Sequence, residues 1–425
     1  MESSEEKVSA RQILADPAVR IPILIVFVIM LGFGIIAPIL PLYARSFGVS
    51  YDAASLLISA FAFARLIFDP FAGPVVDRFG ERLCAMTGVV FVGVSSLLAG
   101  LAGSFPLVVL FRGAGGLGSS LFFAALYSHL LKVVPSSRMG RTMSLFYGAL
   151  NVGIIAGGPI GGVAAHLWGL QSPLFIYAGL CGFSGLLYLR FLPDIGAPQA
   201  QAAADAPIPP RGWRETRDRA LALLASPAFV TVLVLNMAFF WAVAGGYDTL
   251  VPLFAKESLG MSTVGVGGVF AIAVAAEFVM LYPAGSASDR IGRKRVLVPA
   301  LAGLAVMMAV VGWAGSPVAL GVMMGLMGLT SGSAASGPAA MLADVAPGQG
   351  SGTAVGLFRF AGDLGFVLGP LVGGAAASAF GFKGAFTVMA LPVLVALVMV
   401  GRTAETLRPH PRAEAVVPGD QHELA

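Results

Sequence analysis

Arg65 with Asp69, Arg112, Asp248, Glu277, and Arg359 with Asp363 all sit inside long apolar stretches. A charged side chain at the middle of a hydrocarbon layer costs roughly 2.5–3.5 kcal/mol even on insertion scales, so such residues pair, carry protons or meet a ligand. Arg65 and Asp69 stand four apart, as do Arg359 and Asp363, which puts each pair on one face of a helix. Asp248 and Glu277 have no basic residue three or four places away. The proton affinity of such an isolated carboxyl depends on what faces it, and a proton carrier needs that dependence. A buried structural hydrogen bond would equally account for Glu277, and an exposed position at the rim for Asp248. Cys84 and Cys181 lie in apolar runs with no ligand-like spacing to another cysteine or a histidine. The sequence therefore predicts no metal, no cofactor and no enzyme. It contains no Gly-x-x-x-x-Gly-Lys-Ser/Thr, which leaves a gradient as the energy source for any work done.

The elements that position these groups follow from composition. Of 425 residues, 57% are apolar and 11% charged, against roughly a quarter charged in a soluble domain. Such a chain cannot cover a water-facing surface, so a soluble enzyme, a nucleic-acid-binding domain and a disordered chain are excluded. A bilayer-crossing helix needs about 20 mostly apolar residues. The sequence predicts twelve, near 21–44, 54–76, 84–103, 106–132, 142–166, 172–192, 227–252, 263–286, 295–315, 317–342, 353–377 and 384–401. The first is too long, and too rich in preceding charge, for a removable signal. With the N-terminus in the cytoplasm, only Arg45, Lys256 and Lys383 face outward and only Arg65, Arg112 and Arg359 lie within spans. Every other one of the 26 Lys and Arg residues falls on the cytoplasmic side. That bias predicts a multi-pass protein of the cell membrane with both termini in the cytoplasm.

The chain also repeats. Gly73-Pro-Val-Val-Asp77-Arg78-Phe-Gly80 returns as Gly285-Ser-Ala-Ser-Asp289-Arg290-Ile-Gly292, an offset of 212 from Asp77 to Asp289. Gly153, Gly157 and Gly161-Gly162 return as Gly365, Gly369 and Gly373-Gly374 at the same offset. Five segments are read from this: a cytoplasmic tail (1–20), a six-helix bundle (21–192), a linker (193–226), a second six-helix bundle (227–402) and a second cytoplasmic tail (403–425). Arg211–Leu224, within the linker, reads as a basic helix on the inner leaflet. Because six is even, both halves start on the same side. That is the parallel repeat of transporters that rock two halves about a midplane site. Glycine at every fourth position of the fifth and eleventh spans makes a smooth face for a neighbouring backbone, suited to sliding or to tight static packing. Asp77 and Asp289 can pair with Arg78, Arg82, Arg290 or Arg293 at a rim and latch one conformation.

These landmarks resemble the major facilitator superfamily and, within it, the twelve-helix drug:proton antiporters. Gly73–Arg82 and Gly285–Lys294 are similar to the family's loop motif, with Glu81 departing from the usual basic residue. Leu31-Gly32 followed by Pro38-Ile-Leu-Pro41 resembles the helix 1 motif of the drug exporters. Arg112-Gly-Ala-Gly-Gly116-Leu-Gly118 resembles the helix 4 motif, whose arginine the family associates with proton coupling. Gly153–Gly162 resembles the antiporter motif of helix 5, with Pro159 one place off. The resemblance implies an all-α membrane fold of two pseudo-symmetric six-helix bundles.

It further implies that helices 2 and 11 meet across the two halves. Arg65 and Asp363 stand at one depth, about 17 Å from the cytoplasmic surface, and Asp69 and Arg359 at another, about 11 Å, at 1.5 Å per residue. The expectation is a double antiparallel pairing, Arg65 with Asp363 and Asp69 with Arg359; an intrahelical pair on each helix also satisfies the spacing. Glu277 stands at the position of Arg65 in the second half, facing Asn151, the counterpart of Asp363. Asp248 is the second proton-carrying candidate, with Arg112 as its partner. The resemblance places the cavity among helices 1, 4, 7 and 10, where Phe33, Phe122, Phe123, Phe239, Phe240, Trp241 and Met327, with Asn151 nearby, would receive a hydrophobic or amphipathic solute. Residues Ser331–Gly337 with Pro338 would open helix 10 beside it. The expected partners are a small molecule, protons and lipid, with no nucleic acid, and the chain is expected to act as a monomer. The implied function is proton-coupled export of small, largely apolar compounds by alternating access. Proton-coupled uptake or facilitated movement of a metabolite would use the same motifs, whereas an embedded enzyme or a receptor lacks support in the residues.

Overall fold

The computed structural model describes residues 10–191, 213–346 and 352–407. Most of the linker, the N-terminal charges Glu2 to Lys7, and the tail beyond Leu407 lie outside the described residues. Among those described, the chain is helical with no strand. Eleven helices are long and apolar enough to cross a bilayer, and the last bends to make twelve. The first six are α1 (Pro17–Ile36, continued by Leu40–Arg45), α2 (Tyr51–Phe79), α3 (Glu81–Leu101), α4 (Phe105–Val133), α5 (Ser136–Trp168) and α6 (Ser172–Phe191). The second six start with α7 (Pro227–Trp241, a π-helical stretch Ala242–Leu250, then Val251–Glu257), α8 (Thr263–Ile291), α9 (Arg293–Val310 and the 3₁₀ turn Val311–Trp313) and α10 (Pro317–Ala335, then Gly337–Val345). Helix Gly352–Arg402 breaks at Gly381, where φ is +66°, into α11 (352–380) and α12 (382–402). Trp213–Leu224 forms a separate helix ahead of α7, where the basic surface helix was expected.

Local chemistry sets these ends. Asp16 accepts from the Ala18 amide ahead of α1, Ser226 from Phe229 ahead of α7, and Ser262 from Gly265 ahead of α8, each a side chain satisfying an otherwise unpaired first-turn N–H. Gly80 and Gly292, the repeated loop glycines, stand at φ +83° and +109° between α2 and α3 and between α8 and α9. Few other residues adopt that conformation without strain, which explains the recurring glycine. Two departures from the expected spans concern function. α1 breaks at Ala37–Ile39, where Pro38 lacks an N–H, and α7 widens into the π stretch that carries Asp248. His129 of α4 is buried with Nε2 3.1 Å from the Ala18 carbonyl.

Packing falls into two apolar cores, one drawn from residues 13–188 and one from 232–400 joined by Ile39, Leu42 and Ala165. Each half repeats the same pairings: α1 with α5 and α7 with α11, α2 with α4 and α8 with α10, α3 with α6 and α9 with α12. The halves meet along α2 with α11 and α5 with α8. Glycine makes both kinds of contact possible. A Cβ on Gly161 would stand 2.0 Å from the Ile35 carbonyl of α1, and one on Gly365 2.2 Å from the Met237 carbonyl of α7. Other glycines of the same two helices face the other half: a Cβ on Gly162 would meet the Thr263 carbonyl at 2.5 Å, and one on Gly374 the Ser55 hydroxyl at 2.6 Å.

Candidate functional site

Along α2, Phe61, Arg65 and Asp69 rise on one face at steps of four, and α11 presents Arg359, Asp363 and Phe366 to them. Arg65 Nη2 pairs with Asp363 Oδ1, and Arg359 Nη2 lies 2.9 Å from Asp69 Oδ2. The two ion pairs thus run across the halves rather than within each helix. Ser120 of α4 also donates to Asp69.

The expected partner of Glu277 is corrected. Ser331 of α10 donates to Glu277 Oε2 at 3.0 Å, while Asn151 Nδ2 bonds the Tyr147 carbonyl of its own helix at 2.8 Å. The reason lies in the backbone. Gly332 lets α10 approach so closely that a Cβ there would stand 2.1 Å from the Glu277 carbonyl, which carries Ser331 up to the carboxyl. Asp248 is buried, close enough to Glu277 for the two carboxyls to interact, and the hydroxyl of neighbouring Tyr247 has no hydrogen-bond partner among the described residues.

Arg112 and Asp248 form no ion pair, contrary to expectation. Both line a cavity of 20 Å³ bordered by the α1 break and the π stretch of α7, with Phe33, Phe61 and Phe366. The guanidinium lies over the Phe61 ring at 4.0 Å, and its Nε and Nη1 meet no acceptor among the described residues. Those phenylalanines also border a larger, mostly apolar cavity of 240 Å³ with Arg65, Phe122, Phe123 and Phe240, slightly under the roughly 300–1,000 Å³ of ordinary small-molecule sites.

Phe33, Phe122, Phe123 and Phe240 of the expected lining therefore face this cavity. Trp241 and Met327 do not: both are buried in the core of the second half, with Trp241 Nε1 donating to the Met389 carbonyl at 3.2 Å. Phe239 packs against Phe240 instead, and neither Asn151 nor α10 borders the cavity. α10 breaks at Ser336 without reaching it. Phe61 and Phe366 were missed; each stands three or four residues from a charged residue already singled out, on the same helix face.

The two loop motifs differ. In the second, Arg293 bonds Asp289 and reaches Asp344 of α10 at 2.9 Å, and Glu405, beyond α12, accepts from the Arg293 and Lys294 amides at 3.0 and 3.1 Å. Burial works against the Glu405 carboxylate, yet these amides and those of Thr406 and Leu407 hold it below the usual range. Arg290 is exposed and takes no part in this network. In the first copy, Glu81 pairs with Lys132, and Asp77 and Arg78 are exposed without an ion-pair partner among the described residues. Neither Asp77 nor Asp289 latches the halves together here. At the opposite end of the bundle, Arg45 Nε lies 2.8 Å from Glu257, Tyr51 donates to the same carboxylate at 2.5 Å, and Ser378 donates to Asp52 at 2.9 Å. All three bonds join the halves, so this end is closed. At the other end a cavity of 490 Å³ opens between α2 and α11 around Asp69 and Arg359.

Known proteins resemble this chain in sequence and in fold. The chain is 26% identical over 394 residues to the multidrug resistance protein MdtG of Enterobacter lignolyticus, covering 89% of this chain and 91% of that one. It is 24% identical over 251 residues to the quinolone resistance protein NorA of Staphylococcus aureus, a match spanning 58% of this chain and 62% of NorA's length. Its fold matches that of the nucleoside transporter NupG with a TM-score of 0.73 at 15% identity, over 91% of this chain and 99% of that one. A bacterial homolog of the human lysosomal transporter Spinster, inward-facing and occupied, matches at 0.72 and 16%, over 90% and 95%. The family model described as Major Facilitator Superfamily matches residues 23–280 and 242–423. With twelve helices, a repeated six-helix half and a site at their junction, the chain belongs to the major facilitator superfamily.

Proposed function

We propose that the chain exports small, largely apolar or amphipathic compounds across the cell membrane in exchange for protons, by alternating access. One observation carries this reading. Asp248 and Glu277 are carboxyls inside the bundle with no ion-pair partner among the described residues, Asp248 buried and Glu277 half-buried, and the cavity wall that Asp248 shares also borders the apolar cavity. Carboxyls so placed change their proton affinity when their surroundings rearrange. Arg112 acts in the same region. The resistance proteins NorA and MdtG support export of drug-like compounds. The bundles 21–192 and 227–402 are the moving bodies, and the Arg65–Asp363 and Arg359–Asp69 pairs are the links remade as they rock. The basic residues put both termini in the cytoplasm, so the Arg45–Glu257 end is the outer one and the wider cavity opens inward.

Proteoliposomes with an internal pH-sensitive dye test this, using norfloxacin and ethidium as probes. Solute-driven proton movement in the opposite direction, lost in Glu277→Gln or Asp248→Asn, is expected. Protons and solute entering together would mean uptake, and solute movement without protons would mean facilitation. No movement of either would end the transporter reading for these probes.

A further inference from the structure

We infer that the transported solute carries a carboxylate beside its apolar body, and that the Arg112 guanidinium receives that group. The inference rests on the export reading above and narrows its substrate class.

Arg112 is only 2% exposed and forms no ion pair, and its Nε and Nη1 have no hydrogen-bond partner among the described residues. Burying a guanidinium without a counter-charge is strongly unfavourable, and a phenyl ring compensates only part of the loss. Phe61 covers one face of the group at 4.0 Å, which leaves the N–H edge free to present a fork. Tyr177 and Cys181 are neighbouring side chains that interact with it, and neither is a carboxylate. Arg65, the other arginine at these cavities, is already matched by Asp363. Arg112 is thus the one arginine bordering them that lacks a counter-charge within ion-pair distance among the described residues.

The space around it fits a small planar anion. The cavity of 20 Å³ beside Arg112 exceeds the roughly 10–15 Å³ that one water needs, enough for a single polar group. Phe33, Phe61 and Phe366 form a wall common to it and the 240 Å³ apolar cavity, so a solute with its head group at Arg112 reaches the larger space past these three rings. Two of the helices that border the small cavity, one from each half, are irregular there, α1 at residues 37–39 and α7 through its π stretch. Interrupted helices at corresponding places of two halves mark transporter binding sites. A guanidinium fork matches a carboxylate with two parallel hydrogen bonds, and one uncompensated positive charge calls for a monoanion rather than a phosphate dianion. Asp248 across the same cavity is the competing partner, and the experiment separates it from a solute.

The full-length protein in lipid nanodiscs is titrated at neutral pH with 2-naphthoate, 2-naphthamide and 2-naphthylmethylammonium, read by naphthalene fluorescence anisotropy against protein-free discs. The acid is expected to bind at least about tenfold more tightly than the amide or the ammonium. Arg112→Gln is expected to remove most of that preference and Arg112→Lys to retain part of it. Equal binding of acid and amide, tighter binding of the ammonium, no binding of any of the three, or an acid preference surviving Arg112→Gln would each overturn the inference. The wild-type comparison decides even where a variant misfolds. If the ammonium or the amide drives proton movement in proteoliposomes and binds as well as the acid, export stands and the carboxylate class falls. If the acid binds selectively but no probe moves protons, the ligand class stands and the export reading falls.

Discussion

Arg65 and Arg359 make the same bond with opposite partners, yet their surroundings give the bonds different weight. The Arg65–Asp363 side chains are 25% and 8% exposed, the Arg359–Asp69 side chains 47% and 16%. An exposed ion pair contributes about 0–1 kcal/mol, whereas removing one partner of a fully buried pair costs about 3–5. Arg65→Leu is therefore expected to lower stability by about 2 kcal/mol and Arg359→Leu by under about 1, measured by denaturant unfolding in mixed micelles. Charge reversal tests the pairing itself: Arg65→Asp should abolish transport and Arg65→Asp with Asp363→Arg should restore much of it, while failure of the double variant would reduce the bond to a packing accident. The four-residue spacing and the matched depths left two pairings open in the sequence, within each helix or across the halves, and the cross-half one rested on the family resemblance that brings α2 against α11. The partner of Glu277 was not legible, because it depends on how closely Gly332 lets α10 approach. The pairing of Arg112 with Asp248 was not legible either: the two line one small cavity beside the π stretch of α7 without forming an ion pair.

Helices bring their own division of labour. Gly153, Gly157 and Gly161 pack α5 onto α1 inside one half, and Gly162 packs it onto α8 of the other. Every-fourth-residue glycine announced close packing; which neighbour each glycine meets needed the three-dimensional arrangement. Gly161→Val should prevent proper folding. Gly162→Val and Gly374→Val should fold and fail to close the Arg45–Glu257 end, because their clashes lie only between halves. A cysteine at Ser378 in these variants is expected to react faster with an impermeant maleimide added on that side; Cys84 and Cys181 are buried and contribute little background. Unchanged reactivity would mean that the end closes without these contacts. The span count, including the divide between α11 and α12 at Gly381, was readable from hydropathy and the repeat from its recurring Gly and Asp, but the break at residues 37–39 and the π stretch were not, since backbone irregularity leaves no signature in apolar content. The Glu405 cap on α9 was equally hidden, being a contact between a tail and a turn more than a hundred residues away. Its carboxylate lies below its ordinary value, so its contribution is full above roughly pH 4.3, the unfolded value, and is lost as the pH falls through the lower folded value. Hydrogen exchange at the Arg293 and Lys294 amides should show protection at pH 7 that fades below about pH 4 and is missing at every pH in Glu405→Ala. Protection in that variant would show that α9 holds its first turn without the tail.

For the molecule as a whole, the question is how firmly one end is held shut. Arg45 and Glu257 are 29% and 26% exposed, so their pair contributes about 0–1 kcal/mol. Tyr51 adds a hydrogen bond and lends its ring to the Arg45 guanidinium at 4.6 Å and to Phe382 at 5.1 Å. Ser378 with Asp52, Thr263 with the Gly162 carbonyl at 2.9 Å, and Ser59 with the Val367 carbonyl at 2.8 Å add further small increments. Closure is thus spread over several weak contacts, which suits a transporter, since a single strong latch would trap it in one state. Removing the ion pair by Arg45→Ala should shift the equilibrium toward opening at that end by no more than about fivefold, as 1.4 kcal/mol corresponds to tenfold. Spin labels across that end, read by electron–electron distance measurement, should show a modestly larger open fraction with transport retained. Gly374→Val, acting on backbone approach, should shift it much further. A complete loss of the closed state in Arg45→Ala would mean that this one pair governs the cycle, and that the other contacts merely follow it.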